Sequence, residues 1–83
     1  MHSFGNDGLI DNARRATATE CHLMLDHRKR NGTLTNADAS DAVALLDRAS
    51  GAKTADISDA FVTAAAVILL AADAGATAWD AVR

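Results

Sequence analysis

Apolar residues recur at helical spacing along most of the chain, in runs that each end at a glycine. The first run sets Ile10, Ala13, Thr17, Cys21 and Met24 on one stripe, flanked by Leu9, Ala16 and Leu23. Asn6 or Asp7 can cap its start. His27, Arg28, Lys29 and Arg30 place cations against its negative end, and Gly32 offers a left-handed stop. This pattern predicts one helix over about residues 8–30.

The second run begins at Thr35, with Asp38 three residues on as a shortened capping box and Leu34 where a hydrophobic staple belongs. Ala39, Ala42, Val43, Leu46 and Ala49 form its stripe, Asp41, Asp47 and Arg48 lie outside it, and Gly51 closes a helix over 36–50. The third run predicts a helix over 55–74 that is apolar on almost every side from Ala60 to Ala72, with Gly75 as its stop. A short closing helix over 78–83 follows, with Trp79 and Val82 on one edge. The expected architecture is an all-α single domain over residues 1–83: three main helices and a short C-terminal one, with the apolar third helix at the centre.

Composition supports helix over any alternative. Hydrophobic residues are 49% of the 83, aromatics only 4%, and proline is absent, so alanine carries much of the apolar content. A domain this small buries a modest share of its surface and needs regular packing or a partner to be stable. One cysteine, Cys21, rules out an intrachain disulfide and suits a reducing compartment, and no apolar signal sequence is visible at the start, so a cytoplasmic protein is expected. The uncharged stretch from Ala60 to Ala72 is about 20 Å as a helix, short of the ~30 Å hydrocarbon core, and is expected to be buried rather than membrane-spanning. Two helices of the same chain leave part of such a segment uncovered, and either the C-terminal segment or another subunit covers the rest; a homo-oligomer, in the simplest case a homodimer, is expected, with Phe61, Ile68, Leu69 and Trp79 at its interface.

Charge and chemistry then narrow the function. A net charge of −3 supplies no field toward phosphate backbones, and no aromatic residues stand near the basic ones, which argues against nucleic acid. Cys21, His22, Asp26 and His27 are the one cluster of potential metal ligands. Only His22 and Asp26 share a helix face, and they read as an ion pair beside a buried cysteine rather than as a metal site. No cofactor is expected. Ser3, Ser40, Ser50 and Ser58 lack a nucleophile-elbow setting.

Asp56 and Asp59, three apart at the head of a long apolar helix, then a glycine turn and a short Asp80-Ala81-Val82 segment, resemble the last part of MazG-type all-α nucleoside triphosphate pyrophosphatases. The resemblance covers about a third of the chain and implies magnesium-dependent hydrolysis by an oligomer. Such enzymes also carry a paired-glutamate helix upstream, where this chain has Glu20 alone with Asp26 six residues on, and the helix after Asp59 is about a turn too long.

The residues therefore point first to a small non-enzymatic protein–protein interaction module, such as an accessory subunit or an inhibitor encoded by a phage or mobile element. Its expected partner surface is the polar side of the first helix, at Arg14, Arg15, Arg28 and Arg30, because arginine forks pair bidentately and their stems pack on apolar surface. The acidic residues Asp38, Asp41 and Asp47 form a second candidate face, and the MazG-like pyrophosphatase is the alternative activity.

Overall fold

The computed structural model describes residues 4–73, and within them the protein is all-α. Four helices follow in order: α1 (Phe4–Arg15), α2 (Ala18–Asn31), α3 (Asn36–Ser50) and α4 (Ala55–Asp73). The short helix expected over 78–83 lies outside the described residues.

The single first helix expected over 8–30 is in fact two. Thr17 leaves helical geometry (φ −90°, ψ 164°) and caps α2. Its hydroxyl accepts the Glu20 N–H at 3.1 Å, while the Glu20 carboxylate accepts the Thr17 N–H at 2.9 Å. This reciprocal pair is a complete capping box, and it satisfies two backbone donors that a helix start leaves free. At the other end of α2, Gly32 adopts φ 69°, its N–H reaches the Lys29 carbonyl, and the Thr33 N–H reaches that of Arg28. That is a Schellman closure, which a left-handed glycine permits without strain.

α3 starts at the expected place because the Thr35 hydroxyl accepts the Asp38 N–H at 3.1 Å. Gly51 ends it without turning left-handed (φ −93°), so the two glycine stops differ in kind. Thr54 caps α4 by accepting the Ile57 N–H at 3.2 Å, and the Ser58 hydroxyl ties the head of α4 to the end of α3 by donating to the Ala49 carbonyl at 3.0 Å.

α4 is the centre of the molecule. It packs against α1, α2 and α3, most extensively against α3. From Val62 to Ala72 only Thr63, Ala64 and Leu70 fall short of full burial, and Leu69 is the largest completely enclosed aliphatic side chain. Ala13, Ala42, Ala65 and Ala66 are all fully buried, and small side chains at these positions let helix axes come close. By length and composition alone the window Ala55–Ala72, with mean hydropathy 1.8, could cross a membrane; here 44% of that window is buried within the molecule.

Ile68 (8% exposed) and Leu69 (0%) are enclosed by their own chain, Phe61 is half-buried, and Trp79 lies outside the described residues. With the break at Thr17, α4 has three helical neighbours among the described residues, where a continuous first helix would have given two.

Candidate interaction surface

The four arginines expected on one face do not share one. Arg14 and Arg15 are exposed in the last turn of α1, and Arg30 is exposed in the last turn of α2. The length of α2, roughly 20 Å, separates the two groups. Arg30 pairs with Asp26, one turn before it, so Asp26 is engaged by Arg30 rather than by His22 as expected. His27 instead meets the Asn31 side-chain amide at 3.0 Å.

Arg28 is not a surface residue. It is 7% exposed and continues the buried line of Cys21 and Leu25, with a guanidinium N–H donating to the Met24 carbonyl at 3.5 Å. The spacing 21, 25, 28 puts it on the core side of α2, a signal present in the sequence but masked by its membership of the run His27 to Arg30.

The ends of α1 and α2 change the argument for Arg14 and Arg15 as well. In one continuous helix they would lie mid-span, remote from any helix terminus. In the structure they close α1, where the negative end of the macrodipole favours cations. Their presence is thus accounted for locally, but the surface beside them is not. Among the described residues neither forms an ion pair or side-chain hydrogen bond.

That surface is an open groove of about 400 Å3 where the end of α1, the start of α2 and the last turns of α4 meet. Ala16, Met24 and Leu70, all half-buried, form its apolar lining, and Leu23 stands beside them at 66% exposure. Asn12, Arg15 and Glu20 make the polar rim. The Glu20 carboxylate accepts the Thr17 N–H in the capping box and keeps its negative charge, so the described rim carries one charge of each sign, Glu20 and Arg15. Among the described residues Leu23 is the most exposed large apolar side chain, ahead of Ile57 at 47% and Val43 at 39%. Sequence periodicity had marked it only as a flank of the core stripe; exposure to this degree depends on where α2 rests on α4.

Among the described residues no group of three or more His, Cys, Asp and Glu side chains is placed to hold a metal ion. Asp56 and Asp59 are exposed at the head of α4, and Glu20 serves the cap of α2. Cys21 is fully buried on α2, with its thiol 3.8 Å from the Val62 carbonyl of α4. Burial raises its pKa above the ordinary thiol range, and the neighbouring Glu20 charge adds to the rise. It is held as a neutral thiol, the opposite of what a nucleophile needs. Comparison of the chain with protein-family profiles, curated protein sequences and solved structures gives no match.

Proposed function

We propose that this protein is a small, non-enzymatic helical module that acts in the cytoplasm by binding another protein. The reading is carried by one observation: Leu23 is exposed at the edge of an apolar groove, beside arginines that have no partner within the described chain. Apolar surface rimmed by unpaired arginine is a common composition of contact hot spots, and single-domain cores do not require it. Accessory subunits and small inhibitors work in this way, through surface rather than chemistry.

The partner surface in this reading is the Arg14–Arg15 end of α1 together with the start of α2. Arg30 lies at the far end of α2 and is engaged by Asp26, so it contributes at most to the approach of an acidic partner. The test is a pull-down from the native host with the full chain and with Arg14→Glu/Arg15→Glu. A native partner that is captured by the parent chain and lost by the double variant, with helicity unchanged, supports the reading. Capture that survives the double variant moves the site elsewhere, first to the face of Asp38, Asp41 and Asp47.

A further inference from the structure

We infer that the joint at Ala16 and Thr17 is a hinge: α1 and α2 straighten into one helix, and α1 then docks on α4 of a second copy, giving a domain-swapped dimer. The hinge is independent of the interaction reading above. Three observations carry it.

Nothing in the sequence of the joint requires a break. α1 ends at Arg15 and α2 starts at Ala18. Sharp breaks in helices usually sit at proline or glycine, and neither occurs from Leu9 to Asn31. Ile10, Ala13, Thr17, Cys21 and Met24 keep a single helical stripe through the joint. The same residues suit a bent and a straight helix.

Straightening also leaves the joint satisfied in hydrogen bonds. In the bent state the Thr17 N–H donates to the Glu20 carboxylate at 2.9 Å, and the Glu20 N–H to the Thr17 hydroxyl at 3.1 Å. A continuous helix instead bonds the N–H groups of residues 17–20 to the carbonyls of residues 13–16. The cap bonds are exchanged for an ordinary helical turn, and the two states differ locally by little more than that exchange.

α1 is held by one main neighbour. Among the described residues it packs on α4 and makes little contact with α2 or α3. Ala13 is fully buried, and Leu9 and Ile10 are half-buried against the same core. The start of α2 lies beside the last turns of α4, so a straightened α1 runs past the end of α4 rather than along it. Residues 4–31 as one helix span roughly 42 Å, against roughly 28 Å for α4. The vacated side of α4 is complementary to α1, and two copies that exchange α1 rebuild the contacts each has lost. Exchange of an identical element is a low-cost route to a dimer because only the joint changes.

The experiment is refolding of the full chain at high micromolar concentration, followed by size-exclusion chromatography with light scattering. Thr17→Ala/Glu20→Ala removes the cap and keeps good helix formers at the joint, so it should raise the dimer-to-monomer ratio about tenfold over the parent. Ala18→Pro should abolish the dimer. Proline is accepted at a first helical position and wants an extended residue before it, which Thr17 is at φ −90° and ψ 164°. In a continuous helix the same ring would clash with the Arg14 carbonyl. Spin labels at Asp11→Cys and Lys29→Cys, in a Cys21→Ala background mixed with excess unlabelled chain before refolding, read the joint directly. One straight helix sets these positions about five turns, or roughly 27 Å, apart. The dimer should show that separation and the monomer a shorter one. If Ala18→Pro fails to fold, the label separation decides alone. Absence of dimer from both parent and double variant, a dimer no more abundant in the double variant, a dimer that persists in folded Ala18→Pro, or labels that keep the monomer's separation overturns the inference. So does a dimer dissolved by Leu23→Asp, Val43→Asp or Ile57→Asp, since exposed surface would then hold it together.

Discussion

Two arginines show how much position changes the meaning of one residue type. Arg15 ends α1 in solvent, whereas Arg28 lies one turn from the end of α2 on its core side. Charge reversal should separate them. Arg15→Glu exchanges a favourable dipole contact for an unfavourable one and should cost within about 1 kcal/mol. Arg28→Glu puts a carboxylate into a site with little access to water, near carbonyls at the negative end of α2, and should cost roughly 3 kcal/mol. Urea melts of the two variants under the same conditions compare these directly, and equal losses would contradict the burial of Arg28.

Cys21 provides a second check at the residue scale. Its folded-state pKa is raised, so the folded protein holds the thiol proton more tightly than the unfolded chain does. That contribution to stability is complete below the pKa of the unfolded thiol and is lost as pH climbs through the raised folded value. Stability should therefore decline in alkaline solution by more in the parent than in Cys21→Ala, after allowance for the baseline loss from the smaller side chain. Native protein should also resist thiol alkylation at mildly alkaline pH and react once denatured. Rapid alkylation of folded protein would mean that Cys21 is open to solvent.

At the scale of elements, caps decide where the helices begin. Thr17, Thr35 and Thr54 each accept a backbone N–H from the third residue beyond, but only Thr17 has the longer Glu at that position to return the bond. Asp38 occupies the same place after Thr35 with a shorter side chain. Thr17→Ala should cost about 1 kcal/mol, which for a domain of this size lowers the melting temperature by about 4–8 °C. Thr17→Ser should restore most of it. A melt unchanged by Thr17→Ala would imply that the α1–α2 break does not depend on the cap. The hydroxyl-x-x-Glu signal was present in the sequence at Thr17 to Glu20, but it sits inside an unbroken apolar stripe, which a continuous helix satisfies equally well.

For the whole molecule, the consequence of that break is coverage. A continuous helix over 8–30 would be roughly 35 Å long against roughly 28 Å for α4, so much of it would overhang. Divided at Thr17, it supplies two helices that both pack on α4, while α3 covers the remaining side. The surface of α4 that suggested self-association is then largely satisfied within one chain. Light scattering at micromolar concentration should show whether copies still associate: a mass above one chain supports the expected homo-oligomer, and a clean mass of 8.6 kDa defeats it. Among the described residues, Leu23, Val43 and Ile57 are the exposed large apolar side chains that a contact between copies could use.

What the sequence determined by itself was everything governed by neighbours along the chain. Helical periodicity, threonine caps and the stop at Gly32 act within a turn or two, so the class of the fold, the limits of α3 and α4 and the burial of Cys21 were all legible before any coordinates. What only the tertiary structure decided was which side of each helix meets another. That choice drew Arg28 inward, enclosed Ile68 and Leu69, and left Leu23 outside at the lip of a groove. These outcomes depend on how helices far apart in sequence share the surface of α4, and burial of apolar area carries no record of that sharing in local spacing.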